Sequence, residues 1–474
     1  MHTTPTQLID FSLDYAGDQP LYRQVYLRYR DAILHGNLPP GARVPSIRTL
    51  ASELHLSRNT VEKAYDLLIG EGFLAGNNQA GTTVASLAAQ HRWRPAAPAV
   101  HDQAFAEPAA VAVAQPRPFQ LGTPALDAFP LAAWNLLSHR LARDRLSMHS
   151  PPDVQGYGGL RRAIAAYLQV SRGVACVDSQ VFVTSGYRQS LGLLASALLR
   201  PGDPVWVEDP AYPPALRVLG RAGLRVVPVP VDGAGMQVAA GRAAAPRARM
   251  ALVTPANQSP LGMVMSLPRR ADLLAWAAEA EAWLVEDDYD SEFCAEGRRL
   301  PTLTSLDRAE RAIYLGTFSK ALHPALRVAY MVVPPRLVPP LRAIYQDLVD
   351  GGPVPVHRTL ATFMADGHFG RHLKRMRGIY ARRREALVAE LASRLGDRLS
   401  VAPWARGLSV LARLRPGLDD QSIAARAQAA GLAPGALSAR GIHRSPGQGL
   451  LLGFANFPDA GAVARAVDQL ARCF

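Results

Sequence analysis

Residues 84 to 118 read VASLAAQHRWRPAAPAVHDQAFAEPAAVAVAQPRP. This stretch restricts the possible folds more than any other in the chain. It is rich in Ala and Pro and lacks a helical or strand period, which makes it an extended, semi-stiff linker. The chain must then fold as a small unit before it, residues 16–84, and a large unit after it, residues 119–474, with 85–118 between them. A length of 474 residues is in any case too great for one ordinary core. No internal repeat offers a different division.

In the large unit, strand-like runs alternate with helical ones. QVFVTS, PVWVED, RVVPVPV, MALVTP, AWLVEDD, AIYLGT and VAYMVV read as buried strands, and SLGLLASALLR and ADLLAWAAEAEA as helices between them. That alternation predicts an α/β layer with a mostly parallel sheet. From about Leu341 the pattern turns helical, through RHLKRMRGIYARRREALVAELASRL, and then mixed. A smaller α+β subdomain is expected at the C-terminus.

In the small unit, PSIRTLASELHLSRNTVEKAYDLLIG (45–70) places Ser46 and Ser57 where helix N-caps belong. Leu50, Ala51 and Leu54, then Val61, Ala64, Tyr65 and Leu68, recur at helical spacing on either side of a very short link. Two short amphipathic helices joined by a tight turn form a helix-turn-helix pattern, although a helical hairpin with a solvated polar face has the same spacing. The second helix opens on Ser57-Arg58-Asn59-Thr60, with Lys63 one turn further, a polar set suited to base edges and phosphates. GFLAGNNQAGTTVA reads as two short strands around a turn, a β-wing.

Charge does not decide between these readings. The net charge of +13 and pI near 10.0 suit a nucleic-acid partner, but a general arginine bias produces the same totals. Residues 18–86 hold seven Arg and Lys against six acids, so DNA would have to be met by placed residues and not by a diffuse field. Cys176, Cys294 and Cys473 form neither a CxxC pair nor a disulfide framework, which fits a reducing cytosol. The N-terminus has no basic stretch leading into an apolar one, and no apolar run approaches the ~18 residues of a membrane span. A cytoplasmic location without membrane contact is expected.

Among 52 Lys and Arg residues only Lys63, Lys320 and Lys374 are lysine. A lysine amine can form an imine with an aldehyde, whereas a guanidinium is delocalised and always protonated. Lys320 follows the strand-like run IYLGT and would sit just past a strand's carboxyl end, where open α/β sheets bind ligands. Thr317, Ser319 and Arg327 beside it suit a phosphate. A pyridoxal phosphate site also needs an acid for the ring nitrogen, a donor for the ring hydroxyl and an aromatic to stack. EDDYDSEF offers Glu286, Asp287, Asp288 and Tyr289 as candidates, although an acidic cluster at a strand end is also read as solvated or metal-binding. No His lies nearby in sequence, so no metal is expected. The helix start near Gly186 and Tyr187 offers amides to a phosphate, and Tyr212 follows another strand end.

Two resemblances add to this. PLYRQVYLRYRDAILHGNLPPGARVPSIRTLASELHLSRNTVEKAYDLLIGEGFL resembles the winged helix-turn-helix of the GntR family of bacterial transcription regulators. By that resemblance Arg43, Ser46, Arg48, Ser57, Arg58, Asn59, Thr60 and Lys63 face DNA and Gly81 lies at the wing. The family's wing usually carries more basic residues than the NNQAGTT found here. Residues 119–474 resemble fold-type I aminotransferases. TPANQSPLG, EDDYDSEF, GTFSKALHPALRVAYMVVP, GHFGRHLKRMRGIYARRREAL and LLLGFANF together resemble the MocR/GabR-type regulators, in which a GntR unit is fused to an aminotransferase-like domain. The implied fold is thus α/β, preceded by an α+β winged helix-turn-helix.

The second resemblance also implies roles. Lys320 holds pyridoxal 5'-phosphate as an imine, Asp287 pairs with the ring nitrogen, Tyr289 reaches the ring hydroxyl and Tyr212 stacks. Ser185, Gly186, Tyr187, Arg188, Ser319 and Arg327 surround the phosphate. Ser259-Pro260-Leu261-Gly262 replaces the usual Asn-Pro-Thr-Gly, so one contact to the ring hydroxyl is expected to be lost, with Asn257 as its substitute. LLLGFANF lacks the usual arginine for a substrate carboxylate, which leaves Arg440 or Arg444 for an effector. The cofactor-holding set survives where the catalytic set does not. The expected function is a pyridoxal phosphate-dependent, DNA-binding regulator that senses an amino compound or the cofactor itself, as a head-to-tail homodimer on an operator. The alternatives are a working aminotransferase with an accessory DNA-binding unit, and a repressor whose large domain serves only for dimerisation.

Overall fold

Two serines open the helices on which the small unit is built. The computed structural model describes residues 12–15, 19–77, 81–85, 115–144, 153–293, 301–349, 351–403 and 406–474. The chain forms two compact units, residues 1–111 and 112–474. The division falls in the Ala/Pro-rich stretch, of which residues 86–114 lie outside the described ones.

In the first unit, helices α1 (Leu21–Leu34), α2 (Ile47–Glu53) and α3 (Arg58–Gly70) precede strands β1 (Leu74–Asn77) and β2 (Gly81–Val84). Ser46 Oγ accepts from the Thr49 amide at 3.1 Å and Ser57 Oγ from the Thr60 amide at 3.2 Å. Each cap stabilises its helix by about 1 kcal/mol. His55 turns the chain between α2 and α3 with φ +54°. Leu50, Ala51, Val61, Ala64, Tyr65 and Leu68 are buried against Val25 and Tyr29 of α1. Tyr65 sets its ring edge on Tyr29 with centroids 5.6 Å apart and donates its hydroxyl to the Pro45 carbonyl at 2.9 Å. β1 and β2 pair antiparallel as the wing, with Leu74 and Val84 closing the core. The wing tip, residues 78–80, lies outside the described residues.

The second unit is organised on an eight-stranded sheet. Its strands are β3 (Val181–Thr184), β4 (Pro204–Asp209), β5 (Arg225–Asp232), β6 (Gly235–Met236), β7 (Met250–Val253), β8 (Trp283–Asp288), β9 (Ala312–Thr317) and β10 (Ala329–Val332). The order across the sheet is β3-β10-β9-β8-β7-β4-β5-β6. β5, β4, β7, β8 and β9 are mutually parallel. β10 is antiparallel to both its neighbours, so β3 and β9 run the same way. β4, β7, β8 and β9 are buried almost throughout, because helices cover both faces of the sheet. The carboxyl ends of β3, β4, β7, β8 and β9 therefore open on one edge of the layer, where α/β sheets place their ligands.

Helix His368–Leu395 leads into a second sheet of β11 (Leu399–Val401), β12 (Ser409–Leu414), β13 (Gly435–Ala436) and β14 (Gly449–Gly453), in the order β11-β12-β14-β13 and wholly antiparallel. This is the expected C-terminal α+β subdomain. The segment that enters the unit is fixed to it, since Phe119 bridges Gly453 and the Ala125 amide donates to the Tyr380 hydroxyl at 3.0 Å. No helix among the described residues is long and apolar enough to cross a membrane.

Candidate functional site

The strand ends of the large sheet and the C-terminal subdomain enclose a cleft of about 500 Å³, a volume in the range of small-molecule sites. Lys320 enters it from the short helix Phe318–Ala321 that follows β9. Its Nζ donates to the Gly122 carbonyl at 2.5 Å. Burial pulls the amine below its ordinary pKa, while Asp290 and Asp287 oppose that shift.

Strand alternation sorts the acids of β8. Side chains at positions i and i+2 share a face, so Glu286 and Asp288 point away from the cleft and Asp287 points into it. Asp288 is ion-paired with buried Arg172 and accepts the Tyr314 hydroxyl at 2.6 Å. Glu286 faces Arg270 at 3.9 Å and accepts the Thr304 amide at 3.2 Å. Asp287 is buried, lines the cleft and has no ion pair among the described residues. Burial, then Asp288, Asp290 and Glu208, push its carboxyl well above the ordinary range, with Lys320 pulling the other way.

Next to it, the Tyr289 hydroxyl donates to the Asn257 carbonyl at 3.0 Å. Burial raises this phenol's pKa, Asp290 and Asp287 add to the shift, and a hydrogen bond with the Ser259 side chain opposes it. Asn257 lines the cleft, but its amide nitrogen donates to Asp290 at 2.8 Å. The side chain that meets Tyr289 here is thus Ser259, at the position expected to have lost its contact.

The expected phosphate group divides. Gly186, Tyr187, Arg188, Ser319 and Arg327 line the cleft. Gly186 precedes helix Tyr187–Leu198 with φ +145°, and a Cβ there would stand 3.3 Å from an Arg327 terminal nitrogen. Arg327 itself takes a left-handed backbone, φ +53°, which costs a side-chain-bearing residue roughly 1–2 kcal/mol. Ser185 is not in the lining; its amide donates to Gln189 Oε1 at 2.7 Å. Tyr212 lines the cleft, 42% exposed, with its ring against that of Tyr187 at 5.9 Å between centroids. Arg440 reaches the cleft, whereas exposed Arg444 does not.

Several lining residues had no readable signal in the sequence. Gly122 comes from the segment that enters the unit, Asp290 follows Tyr289, and Arg406 rises from the C-terminal subdomain. Gly407 packs so tightly on Asp290 that a Cβ there would collide with its carboxylate. Among the described residues no cluster of three or more His, Cys, Asp or Glu is arranged to hold a metal.

In the small unit, Arg43, Ser46, Arg48, Ser57, Arg58, Asn59 and Lys63 are exposed and Thr60 is half-buried. Ser46, Ser57 and Thr60 are engaged in capping, each serine hydroxyl lying 2.8 Å from the hydroxyl of the threonine three residues on. Arg43 and Gly81 meet at the tip end of the wing strands, where Gly81 pairs with Asn77 and a Cβ on Gly81 would stand 3.9 Å from Arg43 Nε.

Known proteins share both halves. Residues 21–84 match the family of bacterial regulatory proteins, gntR family, and residues 120–456 match aminotransferase class I and II. The probable rhizopine catabolism regulatory protein MocR of Rhizobium meliloti is 36% identical over 98% of this chain and 95% of its own length. The pyridoxine biosynthesis transcriptional regulator PdxR of Corynebacterium glutamicum is 34% identical over 76% of each chain. Among solved structures, the alpha-aminoadipate aminotransferase LysN of Thermus thermophilus, complexed with N-(5'-phosphopyridoxyl)-L-leucine, superposes with a TM-score of 0.68 at 28% identity, over 75% of this chain and 91% of its own. A GntR unit followed by a whole aminotransferase fold, matched end to end by regulators of the same build, places this chain in the MocR-type subfamily of the GntR family of transcription regulators.

Proposed function

We propose that residues 16–84 read an operator on double-stranded DNA, and that residues 119–474 hold pyridoxal 5'-phosphate and answer to an amino compound or to the cofactor itself. Residues 85–118 would join the two. The observation that carries this reading is the pair Lys320 and Asp287. They stand at the carboxyl ends of the adjacent strands β9 and β8, and each acts on the other's charge.

The donor set suits the cofactor group by group. Asp287 is a buried carboxyl with no ion pair among the described residues, and a protonated ring nitrogen would keep it ionised. Tyr289 stands where it could reach a ring hydroxyl, with Asn257 and Ser259 beside it. Tyr212 offers a ring face, and Gly186, Tyr187, Arg188, Ser319 and Arg327 form a cradle of amides, a hydroxyl and guanidinium groups for a phosphate. When bound, pyridoxal phosphate supplies an aldehyde that holds one primary amine at a time. The lowered pKa of Lys320 keeps more of its amine neutral, and therefore nucleophilic, than a solvated lysine would have. Arg440 would meet an effector's carboxylate.

For such exchange to control DNA, the effector must bind two arrangements of the protein with different affinity. We place the regulator in the cytoplasm as a head-to-tail homodimer, with two DNA-reading units on two half-sites. The test is the visible absorption spectrum of the full chain and of Lys320→Ala, with and without added amines, alongside binding to a duplex selected by the protein from random-sequence DNA. A yellow band in the parent that is lost in the variant and shifted by an amine, together with altered DNA binding, is the expected result. A chain that stays colourless with added pyridoxal phosphate would refute the reading.

A further inference from the structure

Arg440 stands on a loop between β13 and β14, and two buried carboxylates hold that loop. Asp420, fully buried at the start of helix Asp420–Ala429, fixes its two ends. Asp420 Oδ2 accepts the Ser438 amide at 2.8 Å and the Gly449 amide at 2.9 Å, and Oδ1 accepts the Ser438 hydroxyl at 2.5 Å. The far side of the loop is held from the other subdomain. Asp209, the last residue of β4 and 5% exposed, accepts three successive amides: Ile442 at 2.8 Å on Oδ1, and His443 at 3.0 Å and Arg444 at 3.1 Å on Oδ2. The Ala211 amide donates back to the Arg440 carbonyl at 3.2 Å.

Three convergent amides form a concave anion site, and a carboxylate in such a site is strongly oriented. No cation of the chain is ion-paired with Asp209 among the described residues, so the backbone of 442–444 carries the neutralising partial charge. Asp209 is also three residues before Tyr212. One carboxylate thus ties the loop that carries Arg440 to the loop that carries the exposed aromatic of the cleft. Arg440 and Tyr212 act on each other's charge, and both line the cleft. Arg444, four residues on, has its amide taken by the clamp and its side chain in solvent.

We propose that Asp209 is the positioning residue that presents Arg440 to the cleft, and so sets how strongly the carboxylate of an amino-acid effector is held relative to a simple amine. This rests on the reading of the cleft as a pyridoxal phosphate site. An amine without a carboxylate gains nothing from Arg440, so losing the clamp should cost it nothing. An amino acid should lose one charge-assisted contact.

The experiment titrates the full chain, loaded with pyridoxal phosphate, by visible absorption. It uses three matched pairs: L-leucine and 3-methylbutylamine, L-phenylalanine and 2-phenylethylamine, L-alanine and ethylamine. The parent should prefer amino acids. Asp209→Asn and Arg440→Gln should each lower amino-acid affinity on the order of tenfold, the scale of one hydrogen bond to a charged group, and leave amine affinity in place. The double variant should add nothing further. His443→Pro, a change at an exposed position, deletes one of the three donors without touching Asp209; it should shift the preference the same way by less, and so serves if Asp209→Asn does not fold. Equal loss for amino acids and amines, or an unchanged preference in both Asp209→Asn and His443→Pro, would overturn the proposal while the cofactor band persists. A parent that takes up the cofactor but prefers no amino acid would overturn it too. Absence of any band would overturn this proposal together with the reading on which it rests.

Discussion

The Lys320 amine and the Gly122 carbonyl are 198 residues apart in sequence and 2.5 Å apart in the fold. Gly122 holds that carbonyl in place with a left-handed backbone, φ +74°, and a Cβ there would stand 2.6 Å from Lys320 Nζ. The backbone and the contact both call for glycine. Gly122→Ala should push the amine aside and strain the entering segment by roughly 1 kcal/mol. The expected outcome is a weaker visible band at a given pyridoxal phosphate concentration, with a thermal midpoint only slightly lowered. A band of parental affinity would show that Lys320 does not depend on this contact.

Asp287 and Asp288 are adjacent on one strand and should respond oppositely to the same change. Asp288→Asn leaves Arg172 buried without its partner, and breaking a buried pair from one side costs about 3–5 kcal/mol. The large unit should be strongly destabilised with or without cofactor. Asp287→Asn removes a carboxyl that burial already disfavours as an anion. The cofactor-free protein should be no less stable than the parent, while pyridoxal phosphate binding falls. Thermal melts of both variants, with and without cofactor, separate the two roles.

On the small unit, cap and contact residues should also separate. Ser57→Ala removes the acceptor for the Thr60 amide and should cost about 1 kcal/mol of stability. Arg58→Ala and Lys63→Ala remove exposed cations. Where such a residue meets a phosphate, the slope of log affinity against log salt should fall by about 1; where it meets a base, affinity should fall by roughly 1–3 kcal/mol with relaxed specificity. Binding to the selected duplex at several salt concentrations checks this, and neither substitution should alter the visible spectrum.

Much of the fold could be read locally. PVWVED and AIYLGT coincide with β4 and β9, because strands covered on both faces are written as unbroken apolar runs. Ser46 and Ser57 announced their caps through residue type and position alone. The direction of β10 was not legible, since VAYMVV would look the same running either way. Within the site, a segment's sequence located the strand end but not the facing of each side chain. Ser185 adjoins Gly186 yet turns its amide to Gln189, and Arg440 lines the cleft while Arg444, whose amide donates to Asp209 more than 200 residues away, is exposed. Gly122, Asp290 and Arg406 join the cleft through packing between distant segments, for which a single sequence has no period or motif.

The buried acids make stability depend on pH in a direction opposite to that of ordinary surface carboxylates. Burial lifts Glu208, Glu286 and Asp290 to about 7 each, against hydrogen bonds and nearby cations that oppose the shift. A carboxyl with a folded-state pKa above its unfolded value binds its proton more tightly when folded. Its contribution is complete below the unfolded value and is lost as pH rises through the folded one. For Glu208 that window runs from 4.5 to about 7. The loss across it is about 3 kcal/mol at most, from the size of the shift. Glu208→Gln keeps the shape without the titration. It should match the parent near pH 4.5 and exceed it above pH 7, by up to that amount less whatever the Thr254 and Gln258 hydrogen bonds lose. Five of the six tryptophans of the chain follow residue 130 and the small DNA-reading unit, residues 16–84, has none, so tryptophan fluorescence follows mainly the unfolding of the large unit. Denaturation of the cofactor-free parent and variant across pH 4.5–8 checks the difference. Parallel curves would mean that Glu208 is ionised in the fold at neutral pH and that its Thr254 and Gln258 partners outweigh its burial.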